Sequence, residues 1–159
     1  MKIWSVSKEA RREIKLDRRT GLRLRCDRDL NPEVKRACKA FCAWLRKNYE
    51  FPIRVPVYLK ATEFIKARDG EHVSATFLGP FDRSEEPYIR VSEGDYVKDV
   101  EECGQDNALA GILHSIAHEL THYYQWLNRS ELSQDKEEAQ AVRQARRVIR
   151  KYAETREHP

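Results

Sequence analysis

Apolar residues recur with helical spacing in three parts of the chain. Asn31 is a candidate N-cap, and Pro32 occupies the first helical position of the first segment. A second helical pattern starts near Asp106 or Asn107 and runs to about Asn128, and a third follows Ser133 and runs to about residue 155. A short acidic helix is expected over about 95–102. The apolar stripe of the first helix consists of Val34, Ala37, Cys38, Phe41, Cys42 and Leu45.

Apolar and polar residues alternate in the segments that separate these helices, which predicts β-strands. The strands expected are IRVPVYLK at 53–60, HVSATFLG at 72–79, YIRVSE at 88–93 and TGLRLRCD at 20–27. Pro56 indicates that the first of these is an edge strand. Asp69-Gly70 predicts a hairpin turn. A helix, a small sheet and then further helices are typical of the α+β class, and 159 residues predict a single domain over 1–159.

The composition supports one compact core, because 40% of the residues are apolar and 35% are charged. No run approaches 18 apolar residues and the N-terminus has no apolar signal region, so we expect a cytoplasmic protein that does not enter a membrane. The cysteines are then expected to be reduced thiols. Cys38 and Cys42 lie one helical turn apart and could hold a second metal, although small side chains on a buried helix face are the favoured interpretation.

Charge is unevenly distributed, although the net charge is only +4. Residues 1–36 and 139–156 are rich in lysine and arginine, whereas residues 81–107 are acidic. The basic N-terminal segment, 1–30, and the basic C-terminal helix could contact nucleic acid. Solvated helix faces are the more common cause of such runs, and they are the favoured interpretation.

The long helix contains HELTH at residues 118–122, which is a candidate zinc site. His118 and His122 are four residues apart, so both imidazoles project from one side of the helix and can reach one metal ion. Glu119 lies about 100° away around the helix, where it can accept a proton from a zinc-bound water. The less favoured interpretation is that these are two surface histidines of an amphipathic helix, which bind no metal.

A catalytic zinc site usually has a third protein ligand. Glu138 starts the apolar stripe of the last helix, so its side chain is expected to point inward and to be stabilised by a cation. Glu137 lies about 100° from it and is expected in solvent. His114 and His72 remain as alternative ligands. His114 could instead hydrogen-bond to a ligand residue or simply line the cleft, and the sequence favours neither interpretation.

The segment 72–155 resembles the zincin-like metallopeptidases. HELTH, followed after 15 residues by EAQA, is similar to the HExxH…E arrangement of gluzincins, of ImmA/IrrE-type proteins and of uncharacterised bacterial and phage zincin-like proteins. The resemblance implies one zinc per chain, held by His118, His122 and Glu138, with Glu119 as the general base. It implies a small mixed or antiparallel sheet, an N-terminal helix, the long HExxH helix and a C-terminal helix that carries the third ligand. The chain lacks the helix-turn-helix and sensor domains of the ImmA/IrrE type.

These observations predict a zinc-dependent peptidase that hydrolyses peptide or protein substrates. Tyr88, Tyr123 and His72 are candidate donors to the oxyanion by residue type alone. Acidic residues near the motif, Glu85, Glu86, Glu93 and Asp95, suggest a preference for basic peptides. One alternative is a non-catalytic, zinc-bound regulatory module of phage or toxin–antitoxin type, and another is a nucleic-acid-associated protease similar to SprT-like proteins. The oligomeric state cannot be read from these patterns.

Overall fold

The computed structural model describes residues 3–14 and 18–159, and this part of the chain is α+β, with five helices and a small mixed sheet. The helices are α1 (Lys8–Glu13), α2 (Pro32–Asn48), α3 (Tyr96–Cys103), α4 (Gln105–Leu127) and α5 (Gln134–Ala153). The strands are β1 (Leu22–Cys26), β2 (Val55–Lys60), β3 (Ile65–Lys66), β4 (His72–Val73), β5 (Ala75–Leu78) and β6 (Tyr88–Ser92).

The four longer strands form one sheet in the order β1-β2-β6-β5. β1 and β6 run parallel to β2, whereas β5 runs antiparallel to β6. β5 is therefore an edge strand of this sheet, and α4 contacts it. This arrangement leaves the long motif helix beside a strand whose second edge has no strand partner among the described residues.

The predicted cap residues begin two of the helices. The Asn31 side chain accepts a hydrogen bond from the N–H of Glu33, and the Ser133 side chain accepts one from the N–H of Lys136. The apolar stripe expected for α2 is fully buried. The core lies between α2, the sheet, α4 and the inner face of α5, so it fixes the position of α4 from several sides.

Two details of the sheet differ from the sequence prediction. β2 is a central strand, so the prediction of an edge strand from Pro56 is wrong. Its pairing with β6 starts only at Val57, and the N–H of Val55 already bonds to Gly21 on the β1 side. Because N–H groups alternate in direction, the group that Pro56 lacks faces the side where pairing has not yet begun. The segment 72–79 forms two strands that are interrupted at Ser74, and β4 forms the expected hairpin with β3 across Asp69-Gly70.

The N-terminal segment packs on α4 and contains a helix, α1, that the sequence pattern does not predict. The Trp4 indole N–H donates to the Thr121 hydroxyl at 3.0 Å, and the indole stacks on Tyr124 at 5.4 Å between ring centroids. The N–H of Ser7 donates to the Asn128 side chain. Part of the basic 1–30 segment, residues 1–2 and 15–17, lies outside the described residues.

Cys38 and Cys42 are buried in the core, as the favoured interpretation predicts. Burial raises the pKa of the Cys42 thiol to about 12, which disfavours the thiolate that a metal would require. Within residues 3–14 and 18–159, none of the helices has the length and apolar character required to cross a bilayer.

Candidate metal centre

The structure brings His118, His122 and Glu138 together. The Nε2 atom of His118 lies 3.1 Å from one carboxylate oxygen of Glu138, and the Nε2 atom of His122 lies 3.0 Å from the other. One candidate ligand atom from each residue lies within 4.8 Å of the other two. Two imidazole nitrogens and a carboxylate oxygen are a donor set that zinc takes in proteins.

Two helices position this cluster. The histidines lie one turn apart on α4, and their ring centroids are 5.0 Å apart. Glu138 lies near the start of α5, and the buried positions Ala141, Ala145, Val148 and Tyr152 anchor that helix to the core. The expectation that Glu138 itself is buried is wrong, because its side chain is 53% exposed. It lies at the rim, where the end of the buried stripe meets the cleft beside α4.

Gln125, which no sequence motif singles out, contacts the side of the His122 ring that faces away from Glu138. The Nδ1 atom of His122 lies 2.7 Å from the side-chain oxygen of Gln125. The amide nitrogen of Gln125 donates to the Glu137 carbonyl at 3.0 Å and to the Gln140 side chain at 2.9 Å. Since these two bonds identify the nitrogen, the oxygen faces Nδ1 and requires a proton on it. Position 125 is three residues after His122, so helical spacing alone could have revealed it.

This arrangement of protons suits a cation at the cluster. With its proton on Nδ1, the neutral His122 ring presents a lone pair at Nε2, and the Glu138 oxygen 3.0 Å away is also an acceptor. Two facing acceptors repel each other unless a positive charge lies between them. Metal-bound histidines usually donate their second N–H to an oxygen in this way, which holds the ring and makes Nε2 the ligand atom. The residues therefore fit a bound zinc ion.

Glu119 is almost enclosed beside the two histidines, with 8% of its surface exposed. Its carboxylate forms no hydrogen bond or ion pair with the described residues. In the metal-free protein burial raises the pKa of Glu119 to about 7, and the nearby Glu138 carboxylate adds to this rise while His122 opposes it. A side chain of this kind can hold or release a proton near neutral pH.

His114 lies one turn before His118, with their ring centroids 6.3 Å apart, and it is not part of the three-residue cluster. Burial lowers its pKa, and the charges of His118 and Arg146 lower it further. The lowered pKa favours the neutral form of His114.

The other residues selected from the sequence lie apart from the cluster. His72 is exposed on β4 and stacks on Phe64. Tyr123 is buried in the core, where its hydroxyl donates to the Ile53 carbonyl and accepts from the Ile53 N–H, so it cannot serve as an oxyanion donor. Tyr88 lies on β6, one strand behind the edge strand, against Tyr58. Glu137 is half-buried instead of solvated.

Three of the four acidic residues expected to attract basic peptides have polar partners outside the metal cluster. Glu86 pairs with Arg54, and Glu93 accepts from the N–H of Asn31. Asp95 caps α3. Glu93 and Asp95 keep their charge in these contacts, and the Glu85 carboxylate has no partner among the described residues, so a preference for basic substrates stays a prediction.

An open cavity of about 490 Å³ begins at His122 and extends along the C-terminal half of α4. Phe77 and Trp126 form an aromatic wall, and the ring of Phe81 is fully exposed at its edge. Gly79 lies so close to this wall that a Cβ atom there would approach Trp126 to 2.6 Å. The cavity is within the usual size range of ligand pockets.

The two arginines that line the cavity are paired. Arg83 and Arg129 both donate to one carboxylate oxygen of Glu13, at 3.0 and 2.8 Å. With these cations engaged, the aromatic wall of Phe77 and Trp126 suits an uncharged, bulky apolar group.

Comparisons of the chain with protein-family models, with curated proteins and with solved structures gave no significant match.

Proposed function

We propose that this protein is a zinc-dependent metallopeptidase with a zincin-like fold. The observation that carries the proposal is the meeting of both motif histidines with the two carboxylate oxygens of Glu138, a residue from another helix. Two surface histidines on a solvated helix would have no reason to converge on a carboxylate 16 positions further along the chain. The resemblance of HELTH…EAQA to gluzincins supports the same assignment.

His118, His122 and Glu138 would hold the metal in this proposal, and Gln125 would keep the Nε2 lone pair of His122 directed at it. Zinc bound by such residues lowers the pKa of a coordinated water to about 7 and polarises a carbonyl oxygen. Three protein ligands leave one position of a tetrahedral site open for this chemistry.

Glu119 would act as the general base and then as the general acid. Its carboxylate, which has no other hydrogen-bond partner among the described residues, accepts a proton from the attacking water. It then gives the proton to the nitrogen of the departing amine. Burial, which raises the pKa of Glu119 to about 7, supports a role in which this carboxylate is protonated during part of the reaction.

The peptide would bind as an added strand on β5. The second edge of β5 has no strand partner among the described residues, and α4 contacts this strand, so the main-chain groups of that edge can pair with an extended peptide of any sequence. A bulky apolar side chain of that peptide fits the cavity between Phe77, Trp126 and Phe81. The substrate class proposed is therefore extended polypeptide with a large uncharged side chain near the scissile bond.

Metal analysis and peptide cleavage test this proposal together. The full chain, expressed with added zinc, is expected to hold about one zinc per molecule. It is expected to cleave an unbiased peptide library, to lose that activity to a zinc chelator and to regain it when zinc is restored. A protein without bound zinc overturns the proposal. One zinc per chain without cleavage of any peptide favours the non-catalytic zinc-bound module instead.

A further inference from the structure

The exposed face of α5 carries a row of six cations. This row, the basic stripe, consists of Lys136, Arg143, Arg146, Arg147, Arg150 and Lys151. All six side chains are exposed, and none forms a hydrogen bond or ion pair with the described residues. From Lys136 to Lys151 the stripe is about 22 Å long, since an α-helix rises about 1.5 Å per residue. From position 139 to the end of α5, no acidic residue interrupts it.

Helix stability does not explain the basic stripe. Favourable interaction with the helix dipole is confined to the last turn, which accounts for Arg150 and Lys151 only. Arg143 and Arg147 are a like-charged pair four residues apart, and so are Arg146 and Arg150. Each such pair destabilises a helix by about 0.2–0.5 kcal/mol. The stripe therefore slightly weakens the helix that carries it.

The stripe has the features of a surface for the phosphates of a nucleic acid. Four of its six residues are arginine, whose planar guanidinium binds phosphate oxygens through two parallel hydrogen bonds. A regular row of charges on a rigid helix complements a polymer that carries regular negative charges.

Other anionic partners fit less well. A helix that lies on a membrane needs an exposed apolar face, but the apolar face of α5 is buried in the core. Single-stranded nucleic acid is usually bound with aromatic side chains that stack on the bases. The large exposed apolar residues among those described, Tyr58, Phe64, Phe81, Val97 and Leu132, all lie outside α5.

We propose that the basic stripe binds the phosphate backbone of a duplex nucleic acid without reading its sequence. The stripe begins at Lys136 on the helix that carries Glu138, so its first end lies near the metal cluster. A duplex on the stripe lies next to the cleft, and proteins bound to that duplex are brought near it. The binding surface does not depend on zinc or on peptide hydrolysis.

Fluorescence anisotropy tests this proposal. The full chain is titrated into a labelled 24-base-pair duplex of arbitrary sequence, and the binding constant is measured over a range of salt concentrations. We expect the logarithm of the binding constant to fall linearly with the logarithm of the salt concentration, with a slope of about −5 for the six charges of the stripe. A triple variant that combines Arg143→Gln, Arg146→Gln and Arg150→Gln should weaken binding at least about tenfold and reduce the magnitude of the slope by about three. A second variant, Arg147→Gln with Lys151→Gln, should reduce it by about two.

A matched control is Arg23→Gln, Arg25→Gln and Arg28→Gln combined, which changes the net charge equally at exposed positions outside α5. This control should bind within about threefold of the parent. Equal losses in the stripe variants and the control overturn the proposal, because net charge alone would then explain binding. No binding at about 50 mM salt, where phosphate contacts are strong, also overturns it. Tighter binding of a single strand of the same length would overturn the proposal of a duplex. Equally effective competition by a polyglutamate of equal charge would overturn the proposal of a nucleic acid.

Discussion

The side-chain oxygen of Gln125 lies 2.7 Å from Nδ1 of His122, one turn earlier on the same helix. This contact determines which ring nitrogen carries the proton, and therefore which one faces Glu138. Through its amide nitrogen the same glutamine binds α5, so one side chain both orients His122 and joins the helices that provide all three candidate ligands.

Gln125→Leu is expected to lower the zinc affinity by about 10- to 100-fold, the usual effect of removing a partner that orients a ligand. It also leaves the Glu137 carbonyl without this donor, so the metal-free protein should become less stable by about 1–3 kcal/mol. Zinc affinity is measured by competition with a chelating dye, and stability by urea unfolding.

Gln125→Glu separates these two effects. A carboxylate still accepts the Nδ1 proton of His122 but cannot donate to α5, so this variant should lose stability while it keeps more of the zinc affinity than the leucine variant. Zinc affinities equal to that of the parent in both variants would show that Gln125 has no part in positioning His122.

Glu138→Ala should lower the zinc affinity by about 100-fold or more, since the metal is then held by one turn of α4. Zinc should also raise the melting temperature of this variant much less than that of the parent, because stabilisation by a ligand follows its affinity. Glu137→Ala is the matched control, because its only contact with Gln125 uses the backbone carbonyl. The reverse result would identify Glu137 as the ligand, and small equal effects would direct the search to His114 or His72.

Asp27 is expected to make stability depend on pH. One carboxylate oxygen accepts from the N–H of Ala61 at 3.0 Å and the other from Lys60 at 3.2 Å. The Ala61 N–H contributes most to holding the pKa of Asp27 below its ordinary value of 3.8, and Lys60 adds to this effect. Because the pKa is lower in the folded than in the unfolded protein, the stabilisation is complete above about pH 5 and is lost as the pH falls through the folded pKa.

Asp27→Asn should therefore reduce the free energy of unfolding at pH 7 by about 1 kcal/mol or less, since the group is partly exposed. The difference from the parent should shrink between pH 5 and pH 3 in urea unfolding experiments. Asp29→Asn, at a nearby exposed position, is the control and should show no such trend. A difference between parent and Asp27→Asn that stays constant over this range would contradict the assignment.

Local signals in the sequence predicted the helices better than the sheet. Asn31 and Ser133 act within their own first turns, so the chain positions of α2 and α5 follow from neighbouring residues. The place of β2 in the sheet depends on where β6 begins to pair with it, which Pro56 does not reveal. The N-terminal segment that includes α1 is held by contacts such as that of Trp4 with Thr121, 117 positions away, which no local pattern encodes.

The sequence predicted those features of the candidate site that depend on the spacing of residues along a helix. It did not predict the burial of side chains, which depends on tertiary packing. Spacing placed His118 and His122 on one face, and helical phase distinguished Glu138 from Glu137 as the residue that meets them. Burial was misjudged for both glutamates, because the end of a buried stripe can lie at the rim of a cleft. Tyr123 had a suitable side chain, but its hydroxyl is used by Ile53 across the core.

The role of Glu119 is tested most directly by Glu119→Gln, compared with the parent and with Glu131→Gln, the same change at an exposed position outside the metal cluster and the cavity. Zinc content and the initial rate on a peptide cleaved by the parent are measured for all three proteins. We expect about one zinc per chain in each, a parent-like rate for Glu131→Gln, and a loss of at least about 100-fold for Glu119→Gln, because an amide cannot accept the proton of the water. Cleavage by zinc-loaded Glu119→Gln at the parent rate would contradict the assignment of Glu119 as the general base.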